Sequence, residues 1–249
     1  SIFAILSTLF IATMLGSIDD LFGWKKGLSK SMRIVMMLFA AIPLMAINAG
    51  ESILLGIDFG LVFPLFLIPL GIVGAATTFN FLAGYNGLEA SQGILILSAL
   101  SVVTFLTGNS WLSVIALCMV AALIAFYIFN KYPAKIFPGD TLTYPVGALI
   151  AAIAILGNIE KIAIFFFIPY LLETILKLRG RLRKESFAKL NKDGSLELPY
   201  KKIYGLEHLA IKILKKIKPS KKVYETEVVY FINGFQIIII LLGFWIFVV

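Results

Sequence analysis

Two residue types that commonly build chemical sites are almost missing from this 249-residue chain: it has one cysteine, Cys118, and one histidine, His208. A single cysteine excludes an internal disulfide, and the two residues together cannot supply a Cys/His zinc cluster. Charge is also scarce. Only 14% of residues are Asp, Glu, Lys or Arg, against about 25% in a soluble domain. The long apolar stretches show no strand-like alternation, which argues against a membrane barrel, and no internal repeat is visible. Apolar sequence fills the space instead: 60% of residues are hydrophobic and the mean hydropathy is +0.96.

The apolar residues come in runs of near-membrane length. A span needs roughly 20 mostly apolar residues to cross about 30 Å of hydrocarbon. Candidate spans lie at about 1–17, 32–49, 61–83, 92–107, 112–129, 142–157, 161–178 and 228–249. The expected fold is all-α: a polytopic transmembrane helical bundle of about eight spans. Residues 1–178 form a core with catalytic loops, 179–227 a basic segment, and 228–249 a final span. If the polar breaks alternate sides, 21 of the 22 basic residues fall on one side and only Lys161 on the other. Positive residues stay inside, so that basic side is expected to be cytosolic. The net charge of +8 then reflects topology and anionic membrane lipid rather than nucleic acid, which is not an expected partner. No Met precedes Ser1, and the first span is too long and too poorly flanked for a signal peptide. Further residues are expected upstream.

Four polar segments on the basic side invite a functional reading. In the first, Asp19 and Asp20 end a span. A solvated stop is the plain reading, but an acidic pair at a helix C-terminus opposes the macrodipole. The second runs from Asn80 to Gly93, with Asn86-Gly87 as a turn signal. A loop explains its glycines but not Asn80 inside the last apolar turn. In the third, Asp140 directly precedes an apolar helix, where an N-cap is the ordinary role. The fourth holds Lys177, Arg179, Arg181, Arg183 and Lys184, either a topological anchor or a phosphate site. Gly84, Gly87 and Gly93 are too loosely spaced for a Walker loop. Amide and carboxylate oxygens suit Mg²⁺, with Mn²⁺ as an alternative, and clustered Arg and Lys suit phosphoryl transfer.

The segments GSIDDLFGWKKGLSK, NFLAGYNGLEASQG, FPGDT and KDGSLELPY occur in order along almost the whole chain. With them the sequence resembles the polyprenyl-phosphate N-acetylhexosamine-1-phosphate transferases, in particular the archaeal and eukaryotic branch acting on dolichyl phosphate. The resemblance implies ten spans in a full protein, two of them upstream. It implies transfer of GlcNAc-1-phosphate from UDP-GlcNAc to a polyprenyl phosphate with release of UMP, opening lipid-linked oligosaccharide synthesis for N-glycosylation. It places the enzyme in an archaeal plasma membrane or the endoplasmic reticulum, among membrane lipids, with a homodimer as an open arrangement. It also implies roles: Asn80 and Asp140 as metal ligands; Asp19, Asp20, Lys30 and Asp140 as catalytic residues. Gly84, Asn86 and Phe137 resemble the uracil pocket, Phe137 as a stacking surface, and Glu89 is a further substrate-binding residue. The diphosphate and sugar contacts go to Arg179, Arg181 and Arg183. The Arg-His-Arg run of the eukaryotic form is replaced here by a cluster without histidine.

Two further features are legible in the basic segment. Residues 185–200 alternate around Asp193-Gly194, a hairpin signal. In 203–217, Ile203, Leu206, Ala210, Ile213, Leu214 and Ile217 share one helical face and Lys212, Lys215 and Lys216 another. That pattern fits an interfacial helix on anionic lipid, or one that binds a partner. His208 lies in this stretch and is read as structural. Two rival functions remain. A transporter would place its carboxylates near the midplane, whereas these cluster at span ends. The peptidoglycan branch of the same superfamily carries a His-rich motif that is missing here.

Overall fold

The computed structural model describes residues 1–22, 28–54 and 56–248, with Lys30 described by its backbone alone. Lys25, Lys26 and the Lys30 side chain therefore lie outside the described residues. Among the described residues ten α-helices follow in order: α1 (Ile2–Leu21), α2 (Lys30–Ala46), α3 (Ile68–Phe79), α4 (Leu88–Leu106), α5 (Ser110–Asn130), α6 (Gly139–Leu156), α7 (Glu160–Phe166), α8 (Ile168–Arg179), α9 (Leu206–Ile217) and α10 (Glu225–Phe247). A π-helical turn, Phe63–Leu67, leads into α3. Among the described residues, five helices (α1, α4, α5, α6 and α10) are long and apolar enough to cross a membrane, and Ser31–Ala46 and Phe63–Phe79 are shorter apolar helices. The protein is an all-α polytopic membrane protein.

The expected span at 161–178 is helical but broken into α7 and α8. Pro169, near the start of α8, has no N–H to donate and its ring crowds the preceding turn. Tyr170 N donates to Phe167 O instead of continuing the ladder. The freed carbonyl of Phe166 accepts from Gln236 Nε2 of α10 at 2.9 Å. In hydrocarbon every backbone polar group needs such a partner.

Helix α6 is the centre of the bundle. Its residues from Thr143 to Ile155 are buried without interruption, and α1, α3, α4, α5 and α7 pack around it. This all-round burial explains why α6 is apolar on every face. Ser91 and Gln92 of α4 meet Asn233 of α10 through hydrogen bonds of 2.9–3.1 Å, the kind of polar contact that joins helices inside a membrane.

The two ends of the bundle are chemically distinct. At one end a small antiparallel hairpin, β1 (Ile53–Leu54) with β2 (Ile57–Asp58), pairs Ile53 with Asp58. There Glu51 N donates to Asn158 Oδ1 at 2.8 Å. The other end gathers Asp19, Asp20, Asn80, Asn86, Asp140 and the basic segment. The expected second hairpin is present: β3 (Lys189–Leu190) pairs with β4 (Leu196–Glu197), Lys189 facing Glu197. Lys222–Asp193, at 2.7 Å, ties the hairpin turn to the segment before α10. Lys222 and Ser195 together hold the Asp193 carboxyl well below the usual carboxylate range.

Helix α9 forms as expected, but Ile203 precedes it and its burial is set by the protein. Leu206, Glu207, His208, Ala210 and Ile211 are buried where the helix meets α8 and α10, while Ile217 is exposed. His208 accepts from Tyr204 N at 3.4 Å and packs edge-on against Tyr200. Burial, then the Lys177 charge, lower its pKa below the ordinary histidine value, which fits a structural role.

The separation of ends predicts a labelling pattern. In a Cys118→Ser background, cysteines placed at Glu51 and Asn158 should react with an impermeant maleimide from one side of the membrane. A cysteine at Lys192 should react from the other. Labelling of all three from one side would break the arrangement.

Candidate functional site

The site begins with Asp20. At the end of α1 its Oδ1 accepts Asp140 N at 3.0 Å, and its Oδ2 accepts Thr141 N at 2.9 Å and Thr141 Oγ1 at 2.6 Å. Two of the three donors are free N–H groups of the first turn of α6. The anomaly of an acidic pair at a helix C-terminus thus has an explanation: Asp20 serves the positive end of a different helix. Two glycines make the approach feasible. A Cβ at Gly16 would sit 2.3 Å from Asp140 O, and one at Gly139, which has a φ of +60°, would sit 2.4 Å from Asp20 Oδ2.

With its backbone held this way, Asp140 lies in the first turn of α6 with its side chain free to face its neighbours. Oδ1 accepts from Asn80 Nδ2 at 2.6 Å, across from the end of α3. Oδ2 lies 3.5 Å from Arg33 Nη1. Arg33 Nη2 in turn pairs with Asp19 Oδ2 at 2.8 Å, and Asp19 Oδ1 accepts Leu28 N at 2.7 Å. The Asp19 side chain is 4% exposed and that of Arg33 35%, so the pair is far better shielded than a surface ion pair. One guanidinium therefore bridges two carboxylates from α1 and α6.

Asn80 and Asp140 open into a cleft of about 630 Å³. Gly84, Glu89 and Phe137 also line it, as do Lys177, Ser186 and Phe187. Glu89 is buried and its Oε1 accepts Gly84 N at 2.7 Å, closing the loop before α4. Phe137 is 59% exposed and offers a free aromatic face. Phe187 stands against Gly84, giving the cleft a second aromatic wall.

Other expected site residues are placed elsewhere. Asn86 does not line the cleft. Its backbone and side-chain N–H groups donate to Glu225 Oε1 at 2.6 and 2.5 Å, and its Oδ1 accepts Ala134 N at 2.9 Å. It clasps the α3–α4 loop, the α5–α6 loop and the start of α10. Arg179, Arg181 and Arg183 are exposed and outside the cleft wall.

The profile of glycosyl transferase family 4 matches residues 2–158. The chain belongs to this family. It is 41% identical over 216 residues to a Saccharolobus solfataricus protein provisionally named UDP-N-acetylglucosamine–dolichyl-phosphate N-acetylglucosaminephosphotransferase, covering 84% of this chain and 65% of that protein. A Sulfolobus acidocaldarius protein with the same provisional name is 32% identical over 246 residues, covering 96% of this chain and 71% of the relative. A phospho-N-acetylmuramoyl-pentapeptide-transferase of Halalkalibacterium halodurans is 35% identical over 121 residues, covering 49% of this chain and 37% of that protein. This chain thus spans about two thirds of the length of the two archaeal relatives.

Within the family 4 region, Arg33 is the residue that sequence reasoning passed over. In the sequence it is one of the 21 basic residues on one side of the expected topology. The signal was its position three residues after Lys30, on the same helical face, in a helix otherwise rich in apolar residues.

The Asn86 clasp predicts a stability effect. Asn86→Ala removes the side-chain donor to Glu225 Oε1 and leaves Ala134 N without its acceptor, at a cost of about 1–3 kcal/mol. Melting of the purified protein in detergent should fall. Glu225→Gln, which keeps an accepting oxygen, should cost less; equal melting of Asn86→Ala and the native protein would refute the clasp.

Proposed function

We propose that this chain is the core of an enzyme that transfers N-acetylglucosamine 1-phosphate from UDP-GlcNAc to a polyprenyl phosphate such as dolichyl phosphate, releasing UMP at the cytosolic membrane face. The observation that carries this reading is the convergence of Asn80, Asp140, Arg33 and Asp19 at the basic end of the bundle, where Asn80 and Asp140 open into the cleft. The names of the archaeal relatives support the choice of donor and acceptor.

The donor atoms fit a divalent cation of the Mg²⁺ type. Among the described residues no cluster of three His, Cys, Asp or Glu forms a metal cage. Mg²⁺ needs none, since it commonly takes one or two protein oxygens with substrate phosphates and water. Asp140 and Asn80, with the amide turned to present its oxygen, would hold Mg²⁺ or Mn²⁺, which supplies charge neutralisation at the donor diphosphate when bound.

The remaining chemistry belongs to the chain. An oxygen of the lipid phosphate attacks the β-phosphorus of UDP-GlcNAc. The bond from that phosphorus to the bridging oxygen breaks, and UMP leaves with the electron pair. A phosphate monoester has a second pKa of about 6, so near neutral pH the nucleophile needs no general base. Arg33 brings positive charge to Asp140 at the edge of the cleft, and Asp19 fixes Arg33 in place. Covalent attack by Asp19 or Asp20 is disfavoured by the hydrogen bonds that already occupy their oxygens. For the acceptor tail, an apolar groove of about 420 Å³ runs between α3, α6, α7 and α8, past Leu70, Ala75, Ile150, Ile164 and Phe167. Thr78 lines it two residues from Asn80, so the groove reaches the level of the site.

The test is transfer of radiolabelled sugar from UDP-GlcNAc to lipid by the purified full-length natural protein, with UDP-MurNAc-pentapeptide offered in parallel. Asp140→Asn and Asn80→Ala should abolish transfer without loss of fold. Arg33→Ala should lower turnover by about 10²–10³, the usual loss for a group that stabilises developing charge. Arg33→Lys should rescue poorly, because lysine cannot fork between two carboxylates. Near-normal turnover in any of the first three removes that residue from the site. Transfer from the pentapeptide donor alone would move the enzyme to the peptidoglycan branch.

A further inference from the structure

The cleft has a cation from a part of the chain beyond the family 4 match. Lys177 of α8 lines it with a side chain that is 12% exposed. Its ammonium donates to Ser186 Oγ and lies 3.5 Å from Glu173 Oε1, one helical turn below.

Beneath Lys177 is a buried acidic platform. Glu173 is fully buried, and its Oε2 accepts Leu206 N at 2.6 Å, at the start of α9. Glu207 is fully buried too. A Cβ at Gly205 would lie 2.6 Å from Glu207 Oε2 and 3.2 Å from Glu173 Oε1, so both carboxyls crowd one glycine. Burial, then the Glu173 charge, hold Glu207 well above the usual carboxylate range. Of the two carboxyls, Glu173 is the one that ion-pairs with Lys177. A buried charge is retained at this cost only when paired and hydrogen-bonded, and here the pairing fixes one rotamer of a normally flexible side chain. An ammonium has three protons. Ser186 takes one and Glu173 Oε1 stands 3.5 Å away as an ion-pair partner, which leaves the ammonium able to donate at the cleft.

Resting on the transferase reading above, we propose that Lys177 is a substrate-binding residue whose ammonium donates to a phosphoryl oxygen in the cleft, with Glu173 as its positioning residue. Lys177, rather than the exposed Arg179, Arg181 and Arg183, is the member of the basic cluster that the fold carries into the cleft wall. The phosphoryl oxygen belongs either to the nucleotide diphosphate or to the lipid phosphate. The two sources separate kinetically.

The experiment uses the full-length natural protein. Lys177→Ala strands a buried carboxylate and risks misfolding, so the decisive variant is the neutral pair Glu173→Gln with Lys177→Met. Its KM for UDP-GlcNAc should rise about ten- to hundredfold, the worth of one charge-assisted hydrogen bond, with the KM for polyprenyl phosphate unchanged. A rise confined to the polyprenyl phosphate KM would equally support Lys177 and assign it to the acceptor. A purely structural role would lower melting temperature and active fraction and leave both KM values alone. An active native protein whose double variant keeps both KM values within about twofold overturns the proposal. If the native protein transfers nothing from any donor, the transferase reading fails, and calorimetric binding of inorganic pyrophosphate decides for Lys177. Weaker binding by the double variant supports it, and equal binding overturns it.

Discussion

The carboxylate of Asp20 on the first turn of α6 is the contact on which the rest of the site depends. A helix starts with N–H groups that have no intrahelical partner, and α6 starts at the edge of the cleft. A capping carboxylate satisfies two of those groups and sits at the positive end of the dipole, typically contributing about 1 kcal/mol. Its larger consequence is positional. By holding Asp140 N and Thr141 N, Asp20 sets where α6 begins, and the Asp140 side chain follows. Asn80 and Arg33 are then met from α3 and α2. The absence of a side chain at Gly16, 2.3 Å from Asp140 O when a Cβ is built, shows how little room that arrangement leaves.

Neighbouring acidic residues thus take different work. Asp20 spends its oxygens on backbone, whereas Asp19 spends its own on Leu28 N and on a guanidinium that reaches Asp140. The division is a matter of helix phase: adjacent residues on α1 point about 100° apart, so one faces α6 and the other faces α2. A pair that reads as one acidic motif is two separate supports for the same site.

The long apolar helices, the Asp193-Gly194 hairpin and the α9 helix were legible because each rests on local periodicity or turn chemistry. The convergence of Asn80 with Asp140 entered only through resemblance, since nothing local joins residues 60 positions apart. The break between α7 and α8 was readable in part from Pro169, but its carbonyl partner Gln236 is 70 residues away. Asn86 shows the same limit: its amide bonds to Glu225 and Ala134, partners 139 and 48 positions away that no local pattern joins to it. Lys177 and Arg179 look alike in sequence; a two-residue difference turns them to different faces of α8, and only Lys177 enters the cleft.

Asn80 and Asp140, brought together at the cleft by α3 and α6, form the proposed divalent-cation site. Electron paramagnetic resonance of Mn²⁺ titrated into the purified full-length protein tests it without reliance on turnover. One bound Mn²⁺ per chain is expected, lost in Asp140→Asn and strongly weakened in Asn80→Ala, with melting temperatures that show both variants folded. Retention of stoichiometric Mn²⁺ by both folded variants would contradict the claim.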